Sequence, residues 1–212
     1  MSTAVSWACL TSVAKLYNRS VTGQLTFMLS GVDESDKQPP MPGILFRLFC
    51  GGPFVCPKFR PSSVSLFVNE ESHLGWRELL LLTRRVYVEV ENIIAKGKGG
   101  RDLVKPALDG SYISPFDTAA EAIKVIEDAL KAANATEHFF VWINFSAYKY
   151  WNKDISKYEF ENFKKGSDPD EVEDLIAKLC LDKKIIKVVE DPFILEHKFS
   201  WHRLNVVYIS AS

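Results

Sequence analysis

Glu190 and Asp191 are the residues best placed to do chemistry: two adjacent carboxylates that end an apolar run over residues 185–189 and stand directly before the chain-breaking Pro192. A strand that ends this way carries its acidic groups to the carboxyl edge of a sheet, where parallel α/β barrels assemble metal-binding and catalytic sites. The same pair also suits a plain exposed strand terminus ahead of a proline turn. Asp109 precedes Gly110, which suits a turn-shaping carboxylate. Asn144 closes an apolar segment over residues 138–145 and reads as a strand-end amide held by hydrogen bonds. His73, His138, His197 and His202 lack a zinc-type grouping, and Cys9, Cys50, Cys56 and Cys180 form no ligand pair. Tyr148, Tyr150 and Trp151 read as aromatic packing beneath a loop.

The elements that must position these groups follow from hydrophobic periodicity. Residues 2–17 place Trp7, Leu10, Val13, Ala14 and Tyr17 at helical spacing, a short helix in need of a partner. A polar, proline-containing stretch over 33–42 reads as a linker. A strand at 44–49 closes on Gly51 and Gly52, and a second at 64–68 follows a proline-rich connection too short for a crossover helix, so the two open as a hairpin. A long amphipathic helix carries Trp76, Leu79, Leu80, Thr83, Tyr87, Val90, Ile93 and Ile94 and stops at the glycines of 97–100. A second helix turns Ala119, Ala122, Ile123, Ile126, Ala129, Leu130 and Ala133 to one side. Strand 138–145, helix 170–181 and strand 185–190 then alternate, with a short helix near Trp201 and one more strand at 205–209. The order is β-β-α-α-β-α-β.

Composition narrows the function. The 212 residues carry a formal net charge of −1, with 47% hydrophobic and 25% charged residues, an ordinary globular balance. Acidic and basic residues are interspersed, which gives no field attractive to nucleic acid. The run Leu79-Leu80-Leu81-Leu82 is flanked by Arg77, Glu78, Arg84 and Arg85, far short of the ~20 apolar residues of a membrane span. Few, irregularly spaced cysteines point to a reducing compartment and a cytoplasmic protein.

The element order and the strand ends resemble the enolase family, nearest to its divergent enolase 4 type. The resemblance rests on Val189-Glu190-Asp191-Pro192-Phe193. Support comes from Gly51-Gly52 followed by Lys58, from Asp109-Gly110-Ser111-Tyr112, and from Lys157-Tyr158-Glu159-Phe160 ahead of Ser167-Asp168-Pro169. It implies an α/β fold, an incomplete enolase-type TIM barrel, because the chain stops before eight strands could close. Residues 1–32 would be a remnant of the family's N-terminal domain, 33–42 the linker, and 43–212 the partial barrel. An open final strand and an unpartnered first helix predict self-association.

Family enolases dehydrate 2-phosphoglycerate to phosphoenolpyruvate in glycolysis. A lysine removes a carbon-bound proton, Mg2+ held by three carboxylates stabilises the enolate, and a glutamate assists loss of hydroxide. By the resemblance, Glu190 stands at one metal-ligand position and Asn144 at another, where the family has aspartate. Asp109 stands at the catalytic glutamate, one methylene shorter. Pro53-Phe54 replaces a histidine, Ser63 replaces a carboxylate, and no lysine follows Lys198 to serve as base. The resemblance therefore implies a lyase lineage in a chain inactive by itself, with Mg2+ weakly bound or absent. It also implies a homodimer, or a heterodimer with another enolase subunit. The alternative is a non-catalytic enolase-like binding or scaffold protein.

Overall fold

Alternation along Phe-Phe-Val-Trp-Ile-Asn sends Phe139, Val141 and Ile143 to one side of a strand and Phe140, Trp142 and Asn144 to the other. The first three are fully buried and the second three half-exposed, and this two-sidedness organises the larger part of the protein. The computed structural model describes residues 2–31, 43–97, 99–159 and 166–211. Two compact units divide the chain, 1–42 and 43–212. The linker expected at 33–42 lies outside the described residues, as does Phe160.

In the first unit, helix α1 (Ser2–Leu16) is followed by α2 (Val21–Ser30). Ser20 caps α2 by accepting the Gly23 amide at 2.9 Å, and Gly31 ends it in the left-handed region at φ 69°, where a residue without Cβ is unstrained. Arg19, in the connection, ties the pair together: its amide donates to the Ala14 carbonyl of α1 at 2.8 Å, and its guanidinium donates to Gln24 Oε1 of α2 at 3.1 Å and lies 4.1 Å over the Phe27 ring. The first helix is thus half of a helical hairpin. Sequence reading left α2 unassigned because its short, uncharged run contains Gly23 and two threonines, all poor helix formers.

The second unit contains β1 (Leu45–Cys50), β2 (Ser63–Val68), α3 (Trp76–Lys96), the short β3 (Lys105–Pro106) and β4 (Tyr112–Ile113), and α4 (Ala119–Ala132). There follow β5 (Phe139–Asn144), the small hairpin β6 (Trp151–Asn152) with β7 (Lys157–Tyr158), α5 (Pro169–Asp182), β8 (Ile186–Glu190) and α6 (Lys198–Ala211). Six strands form one open sheet in the order β3-β4-β1-β2-β5-β8. β2 runs antiparallel to both β1 and β5, and β5 and β8 are parallel. β5 and β8 are thus the first regular strand-helix-strand unit, joined through α5. β3 and β4, two residues each, are too brief for periodicity to reveal.

The helices start where local chemistry directs. Thr118 Oγ1 accepts the Glu121 amide while Glu121 returns a carboxylate to the Thr118 amide at 3.1 Å, a reciprocal cap on α4. Pro169 opens α5, and Glu171 receives the Asp168 amide at 3.0 Å. Their apolar stripes, Leu79, Val86 and Val90 of α3, Ile123, Ile126 and Leu130 of α4, and Val172 and Ile176 of α5, join the buried side of the sheet in one core.

The strand expected at 205–209 is instead part of α6. Leu204 and Ser200, four residues apart, are both buried, Trp201 donates its indole N–H to the Ile194 carbonyl at 3.1 Å, and Arg203 pairs with Asp170 and Glu173 of α5. Packing of the first two turns commits this segment to helix over the β-branched bias of Val206, Val207 and Ile209.

Candidate functional site

Register brings the strand ends into one row. Cys50 of β1 pairs with Ser63 of β2, Ser63 with Asn144 of β5, and Asn144 with Glu190 of β8. Paired residues point to the same side, so these four share the face opposite the core. A bulge in β1 modifies the pattern: Arg47 faces Ser65, Phe49 faces Val64, and Leu48 is the extra residue between. It buries Leu48 and Phe49 together and returns Arg47 to the side of Ser63 and Asn144.

Two neighbouring cavities open on this face. One of about 720 Å³ is lined by residues including Arg47, Ser62, Ser63, Asp109, Asn144 and Lys149. The other, about 600 Å³, shares Arg47, Ser63, Asp109 and Asn144 and adds Trp142 and Glu190. Asp109, Asn144 and Glu190, far apart in sequence, therefore line common space.

Each of the three is already engaged by protein donors. Glu190 accepts the Trp142 indole N–H at 2.8 Å. Asn144 Oδ1 accepts both the amide and the hydroxyl of Ser146, at 2.7 and 2.9 Å, closing an Asx-type turn. Asp109 accepts the Ser111 hydroxyl at 2.6 Å and the Ser111 amide at 3.0 Å, and ion-pairs with Arg47 at 2.8 Å. The Ser111 hydroxyl chiefly, together with the Ser111 amide and the Arg47 guanidinium, holds the Asp109 carboxyl below the usual carboxylate range. Tyr87 donates its hydroxyl to the Arg47 carbonyl, and burial, reinforced by the Asp109 charge, pushes this phenol up to about 12.

A family model, the enolase C-terminal TIM barrel domain, matches residues 70–208. The chain belongs to the enolase family. The matched segment includes Asp109, Asn144 and Glu190, while Gly51, Gly52 and Ser63 precede it. No curated protein matches the chain. The enolase domain here is an α/β structure with an open mixed sheet.

Sequence reasoning missed three contributors to the enolase mouth. Arg47 was legible in principle as the lone charge inside an apolar strand. Lys149, which donates to Ser62 Oγ at 3.2 Å, and Ser146, in the left-handed region at φ 46°, carry no sequence signal; only the fold of the β5 loop brings them to the mouth. Tyr148, expected to pack with Tyr150 and Trp151, is 61% exposed. Among the described residues no helix is long and apolar enough to cross a membrane.

Proposed function

We propose that this enolase-family chain, assigned to the divergent enolase 4 type by Pro53-Phe54, Ser63 and Asn144, does not by itself convert 2-phosphoglycerate to phosphoenolpyruvate. Its mouth instead serves as a non-catalytic binding surface. The observation that carries the reading is the environment of Asp109. A general acid needs its proton-bearing form favoured near neutral pH, and Ser111 with Arg47 favours the opposite form. Asp109 is a structural anion that orders the loop between β3 and β4.

The donor set does not fit Mg2+. This ion takes near-octahedral oxygen ligation and is held through carboxylates. Asn144 offers a neutral oxygen already occupied by Ser146, and Glu190 has one oxygen bound to Trp142. Cytoplasmic residence, and pairing with a second copy or another enolase subunit, belong to the same proposal.

The test is phosphoenolpyruvate formation by the purified chain with 2-phosphoglycerate and Mg2+, followed by ultraviolet absorbance. The expected rate equals that without protein. Magnesium-dependent turnover that Glu190→Gln abolishes would overturn the proposal.

A further inference from the structure

Ser63 and Ser65 lie two residues apart on β2 and face the mouth, Ser63 paired with Asn144 and Ser65 with Arg47 and Trp142. Both line the cavity of about 600 Å³, and both are almost entirely covered, at 5% and 4% exposure. Among the described residues neither hydroxyl has a hydrogen-bond partner. Buried hydroxyls are ordinarily paired, so two unpaired ones side by side on one cavity wall must find their partners in what the cavity holds.

The groups around them have bonding capacity left as well. Glu190 gives one oxygen, Oε2, to the Trp142 indole and keeps the other open. Asn144 accepts from Ser146 through Oδ1, while its Nδ2 donates to no described residue. Arg47 directs Nη1 to Asp109, and its other guanidinium nitrogens donate to no described residue. Donors and acceptors thus stand together on one wall, with about 7 Å along the strand from one serine to the next.

Charge selects among ligands. Arg47 and Asp109 neutralise each other as an ion pair, so the uncompensated charge on this lining is the Glu190 carboxylate, which repels an anion. An ammonium ligand would be drawn to Glu190 but would leave the Arg47 and Asn144 donors without acceptors. A hydroxyl both donates and accepts, and several on one molecule match the whole set. We propose that this cavity binds a neutral polyol of about monosaccharide size. Its hydroxyls donate to Glu190 and accept from Asn144 and Arg47, and Ser63 and Ser65 fill either role. The inference rests on the reading of the mouth as a non-catalytic binding surface and names the class of ligand that surface takes.

Ligand-observed NMR titration of the full chain with myo-inositol, against cyclohexanol, tests the site; the second compound keeps the ring and carries a single hydroxyl. Inositol should bind saturably and about tenfold or more tightly than cyclohexanol. Ser63→Ala and Ser65→Ala should each weaken inositol about three- to tenfold, the worth of one hydrogen bond. Their unfolding midpoints should stay level or rise, since each removes an unpaired buried hydroxyl. Glu190→Gln, which retains an acceptor for the Trp142 indole, should weaken inositol about tenfold. No saturable inositol signal, equal affinity for cyclohexanol, or serine variants that lose stability while binding is unchanged would overturn the inference, and in a chain that forms no phosphoenolpyruvate would overturn it alone. Phosphoenolpyruvate formation would overturn the non-catalytic reading and the inference with it.

Discussion

Phe49, Val64 and Ile143 stand in one row on the core side of the sheet and Leu66, Val141 and Ile186 in another, none more than 2% exposed. Arg47, Ser63, Trp142, Asn144 and Glu190 occupy the opposite side of the same strands. The core side must remain apolar because each residue there contacts helix side chains on which stability depends. The mouth side tolerates changes of charge, since its groups bond to one another and to solvent. This difference explains how the mouth side can carry uncharged Ser63 and Asn144 beside Arg47 and Glu190 while the core side of the same strands stays closed.

The largest expected effect tests the core side. Phe139→Ala should destabilise the protein by about 3–5 kcal/mol, through lost burial plus the cavity left behind, read from urea unfolding. A cost under about 1 kcal/mol would mean that the two sides are not distinct in energy.

A smaller effect is expected from Trp142→Phe on the mouth side. Removing the indole N–H frees Glu190 while the ring keeps its packing near Phe67, 5.9 Å away. The loss should be about 1 kcal/mol, the worth of one partly exposed hydrogen bond to a carboxylate. A cost as large as that of Phe139→Ala would break the comparison.

The third concerns the aromatic cluster around His197. Burial lowers the imidazole pKa below its ordinary 6.5, and its Nδ1 lies 2.8 Å from the Tyr158 hydroxyl. In the pH range between the lowered folded value and 6.5 the unfolded chain holds more protons than the native one. The contribution is therefore fully present above pH 6.5 and is lost as pH falls through the folded value. Unfolding midpoints measured across this window should fall with pH, and His197→Gln should flatten that slope.

The smallest effect belongs to Asp109. Its folded pKa is depressed, so its contribution is present above its ordinary 3.8 and disappears as pH falls through the lower folded value. Arg47 and Asp109 are about half exposed, 52% and 42%, so solvent screening limits the pair to about 0–1 kcal/mol. Asp109→Asn should accordingly change stability near neutral pH very little. A larger loss would give the loop around Asp109 a greater share in holding the fold.

Periodicity was enough to locate α3, α4, β5, α5 and β8, because each buries one repeating side and carries its own start or stop signal, as Thr118 and Pro169 do. It failed at 205–209, where Val206, Val207 and Ile209 favour a strand by themselves. Helix contacts upstream, Leu204 against the core and Arg203 against α5, outweigh that preference. It also left β3 and β4 unseen, two pairs of residues held by pairing rather than by pattern.

By itself, the sequence determined that a carboxylate ends β8 at Glu190, that an amide ends β5 at Asn144, and that both strands bury one side, since residue identity and two-residue alternation are local properties. Only the tertiary structure decided that Ser63, Asn144 and Glu190 fall in one row, that Arg47 crosses to Asp109, and that Asp191 lines a different cavity from its neighbour. Register, bulges and left-handed turns depend on which distant backbone groups find one another, and no local spacing specifies that choice.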